Sequence, residues 1–259
     1  MFLSAREPLA LAVVAAIRAG DVTALRQLLA QHPVLAEARI VDDATGAGGV
    51  SRTLLHMAAD WPGHYPHVAV TIAALVAAGA DANARFAGGA HTETPLHWAA
   101  SNGDVAALDA LLAAGADPEA DGAVIAGGTP LDDAVAFGQW QAAQRLVERG
   151  ATFALWHAAA LGQLADVEAH FRGKTLSRRF PWGVRHGAAP DETTVAFWCA
   201  CHGGQRECAV YLLERGAELN WISTWDGLTP LDAAQRSEAR ELATWLRLQG
   251  ALSAKGRRG

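Results

Sequence analysis

Ala196-Phe-Trp-Cys-Ala-Cys-His-Gly-Gly204 places Cys199, Cys201 and His202 within four positions. A thiol beside an imidazole can act as an activated nucleophile, and both side chains can ligate a soft metal. Asp191 and Glu192 lie just upstream, and His157 lies one segment back. Cys201 or His202 with either acid and His157 would form a nucleophile–base or acid–base cluster, if the fold gathered them. Asp60, His91 and Glu93 offer a second such set nearer the N-terminus. His64 and His67 have the i, i+3 spacing of a helical metal pair, but no further ligand lies near and a structural zinc needs four. The sequence has no phosphate-binding or dinucleotide glycine loop, no G-x-S-x-G and no H-E-x-x-H. Any catalytic site would therefore be assembled from separate segments, and neither a metal nor a cofactor is expected.

The segments that must position these residues repeat along the chain. TPLHWAASNGD begins at Thr94, TPLDDAVAFGQ at Thr129 and TPLDAAQRSEA at Thr229. Gly-Ala pairs at Gly79, Gly115, Gly150, Gly216 and Gly250 mark the same period, with one pair lost between Ala151 and Gly216. Residues 94 to 120 show the physics of one unit. Thr94 can cap a helix whose first position is Pro95, where a missing N–H costs nothing. Leu96, Ala99 and Ala100 give that helix a narrow inner face, and Gly103 ends it. Asp104 caps a second helix with Val105, Leu108, Leu111 and Leu112 at helical spacing. Two helices this short cannot bury their apolar faces alone, so neighbouring units must stack.

TPLHWAASNGD…ALLAAGAD, TLLHMAAD…LVAAGADANAR from Thr53 and TPLDDAV…LVERGA from Thr129 resemble the ankyrin repeat. The resemblance implies an all-α ankyrin-repeat solenoid of about seven helix-turn-helix units. Their approximate bounds are 8–38, 53–85, 94–121, 129–152, 153–172, 194–221 and 229–252 within one domain, 1–252. A basic tail, 253–259, follows. An insertion at 172–193 stands where the missing Gly-Ala pair belongs; it carries Arg172, Lys174, Arg178, Arg179 and Arg185 and no acid before Asp191. Loops at 41–52 and 86–95 are also extended.

Ankyrin repeats bind through turn tips and the ends of inner helices on a concave side. By position this implies Asp60, Trp61, Asn102, Phe137, Cys201 and His202 at helix ends. His91, Glu93, Asp191, Glu192, Trp225 and Asp226 fall at the tips, His157 on the fifth inner helix and Trp182 in the insertion. His56 and His97 take the His of TPLH, where the ring bonds neighbouring backbone, and Asp132 and Asp232 replace it as local caps. Nine tryptophans exceed what a lean Ala/Leu core requires, and Trp is enriched at binding hot spots.

A net charge of −6 argues against general nucleic-acid affinity. Three cysteines do not make a disulfide framework and read as reduced thiols, and no apolar run is long enough to span a membrane. The apolar N-terminus lacks a basic n-region, so it reads as an opening repeat rather than a signal peptide. The expectation is a cytoplasmic, monomeric module that recognises a protein or peptide on its concave face through Trp, His and acidic residues and the basic insertion. The alternative is an enzyme or small-molecule binder with its site in the groove under residues 172–193.

Overall fold

The structure, a computed structural model, describes residues 1–42, 49–124, 127–174, 176 and 191–257. The chain divides into two compact units, Met1–Ala151 and Thr152–Gly259. Each is a stack of ankyrin-type helix pairs, an all-α repeat solenoid with its core between successive pairs. The first unit holds α1 (Pro8–Ala19), α2 (Val22–Gln31), α3 (Leu54–Ala58), α4 (Val68–Ala77), α5 (Pro95–Ser101), α6 (Val105–Ala113), α7 (Pro130–Ala136) and α8 (Trp140–Glu148). The second holds α9 (Leu155–Ala160), α10 (Leu164–Phe171), α11 (Glu192–His202), α12 (Arg206–Leu213), α13 (Pro230–Arg236) and α14 (Arg240–Leu248). Seven helix pairs are thus present among the described residues.

Most inner, odd-numbered helices start where the sequence can satisfy the first backbone N–H groups, while α1 opens on Pro8 with no side-chain cap. The Nδ1 of His97 accepts from the Thr94 N–H at 3.1 Å, and His56 does the same for Thr53 at 3.3 Å. That leaves the proton on Nε2, which reaches the next unit: His56 to the Glu93 carbonyl at 3.1 Å, His97 to the Gly128 carbonyl at 3.3 Å. Both rings are buried and neutral; burial depresses His56 to about 3 and His97 to about 4. Asp132 and Asp232 occupy the same position and cap locally, accepting from the N–H groups of Thr129 at 2.6 Å and Thr229 at 3.2 Å. The outer helices bury Leu25, Ile72, Leu108, Leu146, Val167, Leu212 and Leu246 against the inner layer.

One feature departs from the helical expectation. Three short strands, β1 (Phe2–Ser4), β2 (Arg39–Val41) and β3 (Ser51–Thr53), form a sheet in the order β1-β2-β3, parallel then antiparallel. β3 leads directly into α3, and Ser51 exchanges backbone hydrogen bonds with Ala87 at 2.7 and 3.1 Å. Part of the extended 41–52 loop is therefore sheet that steadies the finger carrying His91 and Glu93. Three-residue strands, each paired with a separate segment of the chain, leave no periodic signal in a sequence.

Candidate functional site

In the first unit, His91 and Glu93 come together. The His91 Nδ1 lies 2.8 Å from the Glu93 carboxylate, which is buried. The Trp98 indole donates to the same oxygen, Oε2, at 3.0 Å. The imidazole stacks on Phe86 with centroids 5.2 Å apart and planes 8° from parallel. A buried carboxylate thus lies beside a partly exposed imidazole without the geometry of a hydrogen bond to it; Phe86 was not anticipated, because nothing in a lone loop phenylalanine points to a partner five residues on. Asp60 does not join them. It sits at the end of α3, paired with Arg18 at 3.3 Å and accepting from the Trp61 N–H at 3.0 Å.

The remaining positions of this unit divide into committed and open groups. The Asn102 amide donates to the Ala59 carbonyl at 2.8 Å, tying two successive helix pairs of this unit together. Beside it, Asp104 accepts from Ala107 N–H at 3.0 Å and from His64 N–H at 2.6 Å, while the His64 Nε2 lies 3.3 Å from the Asn102 carbonyl. His64 is thus engaged by backbone. Trp61 and Phe137 are the open ones, 76% and 49% exposed at the ends of α3 and α7.

In the second unit the cluster expected around Cys201 and His202 does not assemble. Asp191 caps α11, accepting from the Thr194 N–H at 2.8 Å and its hydroxyl at 3.0 Å, and Glu192 lies 3.8 Å from His170. Cys201 and His202 stand at the opposite end of that eleven-residue helix, about 15 Å away at the helical rise. His157 is buried and its Nδ1 accepts from the Ala154 N–H at 2.9 Å, which removes it from any accessible set.

Cys201 is also buried, contrary to its expected place at the surface. The cause is register. Aligning Gly203 with Gly103 puts Cys201 at the open position of Ser101, but Gly103 has φ 70° and its counterpart is Gly204, φ 71°. Gly203 is right-handed, φ −78°, and lies so close to α9 that a Cβ would fall 2.0 Å from the Ala160 carbonyl oxygen. Every residue of α11 therefore moves by one position. Cys201 takes the place of Ala100 in the packed inner face, and Trp198 takes the place of His97. Trp198 accordingly donates its indole N–H to the Leu228 carbonyl at 3.1 Å, as His97 does to Gly128. Burial pushes the thiols of Cys199 and Cys201 well up and that of Cys208 up to about 11, so none is poised as a thiolate.

His202, buried, joins a different group. Its Nδ1 lies 3.3 Å from both Arg236 Nη2 and Ser237 Oγ. Arg236 pairs with Asp226 at 2.8 Å and lies 5.7 Å from the Trp198 ring centre. Trp225 meets Trp198 and Trp221 edge-on at 5.0 and 5.2 Å. Trp225, Asp226 and His202 are thus brought together by Arg236, the last residue of α13. Trp182 and most of the 172–193 insertion lie outside the described residues; of its cations, Arg172 pairs with Glu168 and Lys174 with Asp166. No three His, Cys, Asp or Glu side chains come together as a cation site among the described residues. No helix among them is long and apolar enough to cross a membrane.

Stacked helix pairs whose polar side chains mostly cap helices or bridge to the next pair define an α-helical repeat scaffold. Residues 55–155 match the family model of ankyrin repeats in three copies, so this stretch of the chain carries ankyrin repeats. Such repeats are generally protein-interaction modules. A similar solved structure is the human ASB11 ankyrin repeat domain, at 23% identity, TM-score 0.49, and coverage of 97% of this chain and 89% of that one. No curated protein matches the sequence.

Proposed function

We propose that the protein binds a protein or peptide partner, with the inner-helix ends of the first unit as its anchoring surface. One observation carries this reading: Trp61 and Phe137 are exposed at helix ends where the intervening pair, Ser101 and Asn102, is small and polar. Neither ring is needed by the core, and burying a large apolar side chain on association contributes roughly 1.5–3 kcal/mol. Helix ends two units apart place the two rings about 20 Å from each other at ordinary helix spacing, which suits an extended or helical segment with two apolar side chains. Asp60, held by Arg18, supplies a fixed polar rim beside Trp61. The concave face is the surface this reading uses, and the free, buried state of Cys199, Cys201 and Cys208 supports a reducing, cytoplasmic setting.

The test is affinity capture from the native cell, followed by titration of the identified partner against Trp61→Ala, Phe137→Ala and the double variant. Each ring should cost about 1–2 kcal/mol of binding free energy while the thermal unfolding curve stays in place. Unchanged affinity in the double variant would sink the proposal.

A further inference from the structure

The outer surface of the second unit changes character at α14. Counted from Gly216 and Gly250, Arg206 corresponds to Arg240, Val210 to Thr244, Leu213 to Arg247 and Glu214 to Leu248. Val210 and Leu213 are part-buried, whereas Thr244 and Arg247 are exposed. A helix face that closes a stack needs polarity of either sign. Here the polarity is cationic in an acidic protein: of 21 Lys and Arg and 27 Asp and Glu, residues 229–258 hold six and three.

The arginines differ in another way. Elsewhere on the outer helices Arg145 pairs with Glu148, Arg149 with Asp109 and Arg172 with Glu168, at 3.2, 2.8 and 3.2 Å. Arg240 and Arg247 have no carboxylate within reach among the described residues, although they line a groove of about 290 Å³ with Gln235, Glu238, Ala243 and Thr244. Two other outer-face grooves carry one arginine each rather than two: the one at α12 is lined by Arg206 with Glu207 and Glu214, and the one between α2 and α4 by Arg26 with alanines and Leu29. Beside Arg247, Leu248 is 80% exposed.

We infer that this groove docks an acidic segment of a protein partner. Arg240 and Arg247 are seven residues apart, two turns, so their guanidinium groups recur at about 10 Å along one helix face. That spacing matches two carboxylates two turns apart on a partner helix, each able to take a forked arginine contact. Thr244 and Ala243 form a floor low enough for a backbone to approach, Leu248 offers an apolar contact beside the charges, and Glu238 at the rim disfavours the reverse charge order. This surface is separate from the Trp61 and Phe137 ends, and the two stand or fall independently.

The experiment uses the full chain and a fluorescein-labelled helical peptide carrying two glutamates seven residues apart and one leucine, read by anisotropy. The peptide should bind, and replacing its glutamates by glutamine should weaken it about tenfold. Arg240→Glu with Arg247→Glu should do the same with an unchanged circular dichroism spectrum. Arg240→Gln with Arg247→Gln, which adds no new charge, should give an intermediate loss. Arg206→Glu should leave affinity within about twofold. Equal binding of the glutamine peptide, or by the charge-reversed protein, would overturn the inference. So would tighter binding, through the same arginines, of a duplex oligonucleotide or of vesicles containing phosphatidylserine.

Discussion

The junction after α5 and the junction after α11 solve one problem with different chemistry. In both, an inner-helix side chain donates to the backbone carbonyl that precedes the next unit's threonine. At the first, His97 donates from Nε2 while its Nδ1 accepts from Thr94, so one ring serves both its own helix start and the next unit. At the second, Trp198 donates only, and the helix start is served instead by Asp191, three residues before Thr194. What these two junctions share at this position is a donor aimed forward, not a histidine. Where aspartate stands there, at Asp132 and Asp232, the side chain serves the helix start instead, accepting from the threonine before it.

The largest expected effect comes from removing the indole of the second junction. Trp198→Ala empties a fully buried site between two helix layers and should cost about 3–5 kcal/mol by urea unfolding. Trp98, only part-buried, should lose less on the same truncation. If the two were equal, the contrast in packing between the junctions would be wrong.

Acid should separate the junctions next. His56 and His97 titrate at about 3 and about 4 in the fold and near 6.5 when unfolded. Above about pH 6.5 both states are neutral and nothing changes. Below it the unfolded chain binds protons that the folded chain refuses, so stability falls as pH drops, until the folded values are reached. Each histidine contributes at most about 1.4 kcal/mol per pH unit, so one unit below 6.5 should cost about 2–3 kcal/mol for the pair. Hydrogen exchange at pH 6.5 and 5.5 should show amides around α3 and α5 losing protection. The Trp198 link, which cannot titrate, makes no such contribution. An acid response unchanged in a His56→Gln, His97→Gln variant would break the assignment.

Those histidines were legible in the sequence because a cap is local: a Thr and a His three residues apart determine their own hydrogen bonds. The seven pairs were legible for the same reason. Cys201 was not, because Gly203 and Gly204 are adjacent and only the backbone shows which is left-handed; one position of register decided between open surface and packed core. The joining of His91 to Glu93 could be anticipated from their spacing in one finger. Their support by Phe86, Trp98 and the three-stranded sheet depends on pairing between distant segments, which composition does not report.

Removing only the indole N–H should reverse the ranking of the two tryptophans. Benzothienylalanine, which keeps the bicyclic volume and puts sulfur where the N–H was, does this at either position. At Trp98 the buried Glu93 carboxylate then loses a donor at 3.0 Å, so about 2 kcal/mol should be lost, as for a hydrogen bond to a charged group. At Trp198 the same replacement should cost less, about 1 kcal/mol or below. Its acceptor is a neutral carbonyl that also receives the Ser223 N–H at 3.0 Å, so it is not left unpaired. The two benzothienyl variants, compared with the alanine variants by urea unfolding at pH 7, separate packing from hydrogen bonding. Trp198 matters chiefly as volume and Trp98 chiefly as a donor, and a larger loss for the Trp198 replacement would show that the Leu228 carbonyl, not the Glu93 carboxylate, depends on its indole.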